Sequence, residues 1–424
     1  MTILKRAGRL TFAALGVPNY RRYLGGQSIS LIGTWMQMIA QSWLVLELTG
    51  SSVDLGIVTA LQTLPVLVLG PYGGVVADRV DRRKVMIALQ SLMGVQALVL
   101  GVLTVTHVVT YWEIGVLAVL LGLNNAFENP ARQSFMLEMV GPRDLRNAVS
   151  LNSTMVNVAR VIGPAAAGIL IATVGSGVCF LVNAVSFIPV VWTILRIDTT
   201  QLFPSERAVR AKGQLREGLR YVRSTPELGV PLLMMALLGM LTYEFPVSLP
   251  VLDRSVLHGG SSGYGFMTAA MGFGAVGGGL LTAAKGRTGL KPLIAVSGVF
   301  GVLVLLASAA PNMPLELVAL TLMGAASVSL MALGNSTMQL GAAPMMRGRV
   351  MALWFVAFQG STPIGGPAVG LVIAWAGARA GLGLGGVVCF VAAAGGALAL
   401  RHIRRQPPAR PVRADVEEDV ALAA

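Results

Sequence analysis

Apolar stretches long enough to cross a lipid bilayer recur along the whole chain, and they constrain the fold more than any other feature. A helix needs about 20 apolar residues to cross roughly 30 Å of hydrocarbon. Only 12% of the 424 residues are charged, whereas about 25% is usual in a soluble protein, so much of the surface must face lipid. We predict an all-α integral membrane protein with twelve spans, at 24–46, 55–77, 84–106, 113–135, 149–172, 177–195, 229–251, 262–284, 291–310, 315–338, 350–374 and 381–400.

The basic residues test this number of spans. Of the 32 lysines and arginines, only Arg254 and Arg379 fall in loops that follow odd-numbered spans, and only Arg160 lies in the middle of a span. The other 29 lie at the termini, in the loops after even-numbered spans or beside those loops. Because positively charged loops stay in the cytoplasm, we predict that both termini are cytoplasmic. Membrane orientation then accounts for the net charge of +13, and no nucleic-acid partner is expected.

An internal repeat predicts two similar six-helix bundles. Residues 162–168 read Ile-Gly-Pro-Ala-Ala-Ala-Gly, and residues 364–370, which follow 202 positions later, read Ile-Gly-Gly-Pro-Ala-Val-Gly. Small residues at this spacing let helices approach closely. We predict an N-terminal bundle at 1–195 and a C-terminal bundle at 229–400, related by an axis along the membrane normal.

Two segments lie outside these bundles. The interval 196–228 carries apolar residues on one helical face and arginines on the adjoining face, which predicts an amphipathic helix on the cytoplasmic leaflet. A plain solvated linker is the alternative. The tail 401–424 is rich in proline and arginine and then acidic, so we expect it to be disordered.

A charged motif follows the second span and resembles the signature of a known family. It consists of Gly74, Asp78, Arg79, Arg82 and Arg83. A glycine, an Asp-Arg pair and a basic cluster between the second and third spans resemble the cytoplasmic loop motif of the major facilitator superfamily. The resemblance implies a two-bundle transporter that opens alternately to the two sides of the membrane.

Further segments resemble one branch of this superfamily, which contains enterobactin and macrolide exporters. They are Leu46–Gly50, Asn129–Gln133, Asn147–Asn152, Ala159–Pro164 and Glu217–Val222. The resemblance covers roughly residues 20–400 and is most specific in the N-terminal half. It implies export of small molecules.

The resemblance also implies a role for the charged motif as a cytoplasmic gate. Asp78 would meet the N-terminus of the eleventh helix, where the helix dipole favours a carboxylate. Asp78 and Arg82 are four residues apart and can pair on one helix face. Glu128, near the end of span 4, is a third candidate member, although it could pair with Arg132 instead. For Arg83 in particular, a role in membrane orientation alone is the alternative.

The fifth span contains the candidate hinge motif Gly163, Pro164 and Gly168, which partly resembles the antiporter motif of drug exporters. Proline kinks a helix and frees a carbonyl group, which is tolerated in a membrane only against protein or a cavity. The motif therefore predicts either a hinge between the two bundles or a packing kink.

Polar residues inside the spans are candidates for the site of transport, because they are costly to place in a membrane. Arg160 lies near the middle of span 5, and Glu244 lies in the outer half of span 7. Desolvation favours the neutral form of a carboxyl, so Glu244 is a candidate to exchange a proton. A permanent ion pair with Arg160 is the alternative. Gln37 and Gln41 share a face of span 1, where they would line an aqueous cavity or bond to another helix.

The sequence thus predicts a transporter and not an enzyme. It contains no phosphate-binding loop of the Gly-x-x-x-x-Gly-Lys-Ser/Thr type and no histidine–cysteine cluster, so we expect no ATP-driven step, no metal site and no cofactor. We predict a monomeric, multi-pass secondary transporter of the inner (plasma) membrane that exports small drug-, macrolide- or siderophore-like molecules in exchange for protons. An importer or a lysolipid flippase of the same fold is the main alternative. A non-transporting sensor or scaffold and a membrane-bound acyltransferase are more distant ones.

Overall fold

Long helices account for nearly all of the chain that can be described. The computed structural model describes residues 13–203, 214–286 and 288–405, without the side chains of 71, 73–79, 214, 215 and 285. Within these ranges the membrane-spanning helices are α1 Pro18–Thr49, α2 Ser52–Arg79, α3 Arg82–Val105, α4 111–140, α5 142–174, α6 Ser176–Leu195, α7 Pro226–Leu241 with Phe245–Leu252, α8 Gly260–Lys285, α9 Leu290–Ala309, α10 Met313–Gly341, α11 Arg347–Phe358 with Thr362–Ala376, and α12 Ala378–Arg405.

Helices α4 and α5 follow one another with almost no loop, as a run of 64 helical residues over Tyr111–Val174. A straight helix of that length would measure about 96 Å, which is roughly three times the thickness of the hydrocarbon layer. The run breaks at Gly141, whose φ of 69° lies in the left-handed region that glycine adopts most readily. Pro142 follows and has no amide hydrogen to continue the ladder. The run therefore contains two spans, and the predicted twelve-helix, all-α fold is confirmed.

Helices α1–α6 form one bundle and α7–α12 the other, and equivalent glycines serve equivalent contacts in both. Gly122 of α4 packs on the backbone of α2, and Gly324 of α10 packs on the backbone of α8. Gly175 and Gly377 end α5 and α11 with nearly identical backbone angles, φ 88° and ψ 165° against φ 89° and ψ 166°. The repeat in the sequence is thus a repeat in structure.

The two bundles contact each other through α2 with α11 and through α5 with α8. The Ser52 hydroxyl donates to the Gly370 carbonyl oxygen at 2.8 Å. A Cβ added to Gly265 would lie 2.6 Å from the Pro164 carbonyl oxygen, so α8 and α5 touch backbone to backbone. These contacts lie toward the end of the molecule where α1 ends and α2 begins, which we call the opposite end. The end where α2 ends and α3 begins at Arg82 is called the basic end.

Residues Gln214–Ser224 form the linker helix, which lies against the beginning of α11. Glu217 forms an ion pair with Arg349 at 2.6 Å. Val222 is buried, whereas the arginines of the helix, such as Arg220, are exposed. An amphipathic helix is therefore present between the bundles, and it is held on the C-terminal one.

Helix α12 continues through residues 401–405, which we expected to belong to the disordered tail. Its last turn carries His402, Arg404 and Arg405, and cations at a helix C-terminus interact favourably with the helix dipole. The rest of the expected tail, 406–424, lies outside the described residues.

Candidate functional site

Two neighbouring helices of the C-terminal bundle are interrupted. Helix α7 ends at Leu241 and resumes at Phe245, and α11 ends at Phe358 and resumes at Thr362. Pro246 and Pro363 lie in the first turn of the resumed helices, where a missing amide hydrogen costs nothing. Interrupted helices expose backbone groups and dipole ends, and in membrane transporters they surround binding sites.

Glu244 lies in the interruption of α7 and faces the interruption of α11. It is only 2% exposed, and neither of its carboxylate oxygens accepts a hydrogen bond of normal geometry from the described residues. A Cβ added to Gly365, in the first turn of the resumed α11, would lie 2.8 Å from Oε1. The positive end of that helix dipole is therefore close to the carboxyl and favours its charged form, whereas burial favours its neutral form. The site balances two opposing effects on one titratable group.

Arg160 does not neutralise this carboxyl. No ion pair among the described residues joins Glu244 and Arg160. The Arg160 guanidinium lies instead over the Trp35 ring, 5.1 Å from its centroid, a favourable cation–π distance. Tyr243, the neighbour of Glu244, packs its ring edge-on against Phe358 with centroids 4.8 Å apart, which links the two interruptions.

Gln37 and Gln41 take part in bonds between helices and also line a cavity. The Gln37 amide donates to Gln96 of α3 at 2.9 Å and accepts from Asn183 of α6 at 2.6 Å, and the Gln41 amide donates to Gln62 of α2 at 3.2 Å. Both residues line a cavity of about 220 Å³ within the N-terminal bundle. The two roles that we expected as alternatives therefore occur together.

The described part of the charged motif is tied to its own bundle. Arg82 forms an ion pair with Glu138 of α4. The Arg83 guanidinium donates to the carbonyl oxygens of Ile194 and Leu195 at 3.0 and 2.7 Å, and so caps the end of α6. Lysine and arginine side chains commonly satisfy the free carbonyls at helix ends in this way. Gly74, Asp78 and Arg79 belong to α2, but the side chains of 73–79 lie outside the described residues.

Glu128 lies in the core of the N-terminal bundle. It pairs with Arg132, one helical turn later, at 3.0 Å, and it accepts a hydrogen bond from Gln90 of α3 at 3.2 Å. Of the two arrangements that we considered for Glu128, the structure contains the pair with Arg132.

The hinge motif of α5 lies at the contact between bundles. Gly163 packs closely against α1, and a Cβ added to Gly168 would lie 3.0 Å from the Gly265 Cα of α8. Helix α5 continues through Pro164 without non-helical backbone. The interruptions are in α7 and α11 instead.

A clasp of four residues closes the opposite end, and we did not foresee it from the sequence. Trp43 of α1 stacks on Tyr264 of α8, with ring centroids 6.4 Å apart and an angle of 21° between the planes. Arg254, after α7, donates a hydrogen bond to the Leu46 carbonyl oxygen near the end of α1. Arg254, one of two arginines in loops after odd-numbered spans, was a signal that could have identified it.

Sequence reasoning also missed two buried acids. Asp253 and Glu316 are 0% exposed, and their carboxylate oxygens have no hydrogen-bond partner of normal geometry among the described residues. Both lie beside a predicted span end, where an acid normally reaches water. Asp253 is buried because α7 continues as a π-helical turn, Asp253–Leu257, and packs on α8.

Comparison with other sequences places this architecture among known proteins. Residues 10–416 match the profile of a family described as transmembrane secretion effector. The staphyloferrin A transporter of Staphylococcus aureus is 30% identical over 259 residues, which cover 60% of this chain and 64% of that protein. The chain thus spans slightly less than two thirds of that relative. The multidrug efflux pump Tap of Mycolicibacterium fortuitum is 28% identical over 356 residues, 81% of this chain and 85% of that protein.

Solved structures share the fold at low sequence identity. A bacterial homologue of the lysosomal transporter Spinster, inward-facing and unoccupied, superposes with a TM-score of 0.69 at 16% identity, over 92% of this chain and 99% of that one. A bacterial homologue of the iron transporter ferroportin, also inward-facing, gives 0.69 at 15% identity, over 90% and 98%. At these identities the likeness extends to the fold alone.

Proposed function

Because the chain belongs to the transmembrane secretion effector family of the major facilitator superfamily, we propose that it is a secondary transporter that exports small amphipathic molecules in exchange for protons. The family, the two-bundle fold and the names of the relatives support transport of small molecules. We place the protein in the inner (plasma) membrane as a monomer, with both termini in the cytoplasm.

The observation that carries the coupling to protons is the burial of Glu244 between two interrupted helices. A carboxylate is costly to bury, so Glu244 is a neutral acid as long as it is shielded from water. When the carboxyl ionises, it is attracted to the N-terminal turn of the resumed α11. Gaining or losing one proton on Glu244 therefore changes the strength of the interaction between α7, which carries this carboxyl, and the resumed part of α11, which lies beside it.

Alternating access follows from the two ends of the molecule. The clasp of Trp43, Tyr264, Arg254 and Leu46 closes the opposite end, which is the external end if the termini are cytoplasmic. In this state substrate would enter from the cytoplasm. In the other state, by resemblance to the superfamily, Asp78 and Arg82 would close the basic end against α11.

Transport in inside-out vesicles tests the proposal. We expect a fluorescent amphipathic drug to accumulate when the vesicle interior is acidic, and accumulation to stop when the gradient is collapsed. Glu244→Gln should abolish gradient-driven accumulation but retain exchange of labelled for unlabelled drug, because the amide keeps the size of the side chain without its titration.

The matched control is Glu227→Gln, an exposed acid at the start of the same helix, which should transport normally. Normal gradient-driven transport by Glu244→Gln would refute the role of this carboxyl. Accumulation only in right-side-out vesicles would indicate an importer, and movement of lysolipid alone would indicate a flippase.

A further inference from the structure

The cavity within the N-terminal bundle is lined by primary amides. It lies among α1, α2, α3, α4 and α6, and its volume is about 220 Å³. Half of the twelve residues that line it carry an amide: Gln37, Gln41, Gln62, Gln96, Asn125 and Asn183. So many polar groups inside a membrane bundle are costly unless each one finds a partner.

The partners within the protein account for only part of the hydrogen-bonding capacity of these amides. Each amide can donate two hydrogen bonds and accept two. The bonds among Gln37, Gln96 and Asn183 join α1, α3 and α6 and serve the fold. No partner among the described residues is found for the Gln41 carbonyl oxygen, the Gln62 amide nitrogen or any side-chain atom of Asn125. These atoms have unused capacity beside the cavity.

The residues that line the cavity differ in burial. Gln96, Asn183 and Phe187 are among the buried ones. Five are half-buried, and we call this side of the cavity its mouth: Thr34, Trp35, Met38, Gln62 and Asn125. Trp35 also carries the guanidinium of Arg160 on its ring, and the Arg160 backbone touches α8 at Gly272. The mouth therefore lies beside the contact between the two bundles.

The size and the lining define what would fit. A whole ligand usually occupies about 300–1,000 Å³, so a cavity of about 220 Å³ suits one part of a larger molecule. None of its lining residues is ionisable, and burying a charge without a counter-ion is unfavourable. Amides both donate and accept, while Met38, Met93, Leu121 and Phe187 supply apolar contact.

We propose that this cavity is a substrate subsite that takes a neutral hydrogen-bonding group, such as a carboxamide or a hydroxyl, of a larger amphipathic molecule. The proposal rests on the proposed transport function and narrows its substrate class to compounds that present such a group. A network that serves only the fold is the alternative. If the network serves only the fold, the cavity should bind no class of ligand in preference to another. Replacing a residue that makes no bond within the protein should then leave ligand binding unchanged.

Asn125 and Asn124 form a matched pair of test sites on α4. Asn125 faces the amide-lined cavity and makes no side-chain hydrogen bond with the described residues, so Asn125→Leu removes a ligand contact without removing a contact of the fold. Asn124 is the preceding residue, and it lines an adjoining apolar cavity, which shares Met93, Gln96 and Leu121 with the amide-lined one but not Asn125. Asn124→Leu is therefore the control, with the same substitution at the next position of the helix.

The experiment measures binding of three probes that share one tail to the full-length protein in lipid nanodiscs. The probes are 2-naphthylacetamide, 2-naphthylacetate and 2-naphthylethylammonium, and tryptophan fluorescence reports binding, since Trp35 lies at the mouth. We expect the amide to bind at least about tenfold more tightly than either ion, which corresponds to one desolvated hydrogen-bonding group. Asn125→Leu should weaken binding of the amide probe about tenfold, because it removes one hydrogen-bonding partner, and Asn124→Leu should leave binding of this probe unchanged.

Equal binding of the three probes, or an equal effect of the two substitutions, would overturn the subsite. No gradient is applied, so the result is independent of proton-linked export. A selective amide site in a protein that fails the vesicle assay would refute the proposed export and leave the subsite standing.

Discussion

In the N-terminal bundle the buried carboxyl of Glu128 faces the guanidinium of Arg132, whereas in the C-terminal bundle the buried carboxyls of Glu244, Asp253 and Glu316 accept no hydrogen bond of normal geometry from the described residues. The other deeply placed polar side chains of the N-terminal bundle are largely amides, which are always neutral. The C-terminal bundle thus buries acids that can gain or lose a proton, whereas the N-terminal bundle buries mainly side chains whose charge is fixed.

The two bundles also differ in the continuity of their helices. Helices α1 and α5 of the N-terminal bundle are continuous where they face the other half, whereas their equivalents α7 and α11 are interrupted. The glycine contacts are similar in the two bundles, so the repeat alone does not explain why only α7 and α11 are interrupted. Under the proposed function, the rigid half recognises the substrate, and the interrupted half responds to the proton.

The largest effect should follow from breaking the buried pair of Glu128 with Arg132. We expect Glu128→Gln to lower the free energy of unfolding by about 2–3 kcal/mol, because Arg132 is then left largely buried without a counter-charge. Reversible unfolding in mixed micelles measures the change. The double variant Glu128→Gln/Arg132→Gln should recover part of the loss. A loss as small as that of Glu244→Gln, for which we expect less than about 1 kcal/mol, would remove the distinction between paired and unpaired acids.

Equivalent glycines should respond alike in the two halves. A Cβ on Gly163 would lie 2.5 Å from the Trp35 Cβ, and one on Gly365 would overlap the backbone carbonyl oxygen of Met240. We expect Gly163→Ala and Gly365→Ala each to cost at least about 1–2 kcal/mol through overpacking, as measured by thermal unfolding.

Gly298→Ala is the control for these glycines, because nothing lies within 4 Å of its added Cβ. It should be neutral or slightly stabilising, since alanine favours a helix over glycine. A large loss in only one of the two test variants would show that the equivalence does not extend to packing.

Apolar substitution should have opposite signs in the two bundles. We expect Glu316→Met to raise the free energy of unfolding by about 1 kcal/mol, because it removes an acid that is buried without a hydrogen bond. Gln96→Met should lower it by about 1 kcal/mol, because Gln37 then loses a partner. Both are measured by denaturant titration in micelles. Destabilisation of the same size in both would indicate that Glu316 has an essential partner.

The smallest effect concerns an acid of the N-terminal half that lies outside the membrane spans. The hydroxyl and amide of Thr200, together with Gln201 and Arg22, hold the pKa of Asp198 below its usual value. The stabilisation is therefore present at neutral pH and is lost as the pH falls through the lowered pKa. Asp198→Asn should unfold at a slightly lower temperature than wild type at pH 7 and at the same temperature in strong acid. A difference that persists in strong acid would point to a contact other than the charge.

Much of the fold could be predicted because hydrophobic length and the placement of arginines are local properties of the sequence. The twelve helices, the family and its non-enzymatic character are confirmed, the last by relatives that are named as transporters and efflux pumps. The interruptions of α7 and α11 had a local signal that we did not use. Pro246 and Pro363 each lie inside a predicted span, where proline cannot complete the helical ladder.

Contacts between distant segments had no such signal. Nothing near Gln37 indicates that Gln96 and Asn183 will be its partners, 59 and 146 residues away. The pairing of Arg82 with Glu138 is equally non-local. The type of a residue predicted that it would need a partner, but only packing decides which partner it finds.

The attachment of the linker helix determines what a spectroscopic label on it would report about conformational change. The ion pair between Glu217 and Arg349 and the burial of Val222 anchor this helix on α11, so it travels with the C-terminal bundle. A spectroscopic label on the exposed Arg220 would therefore report the position of one half, although it sits on the segment that connects both. Paired with a second label at the end of α6, it reports the distance across the basic end of the molecule without altering the cavity.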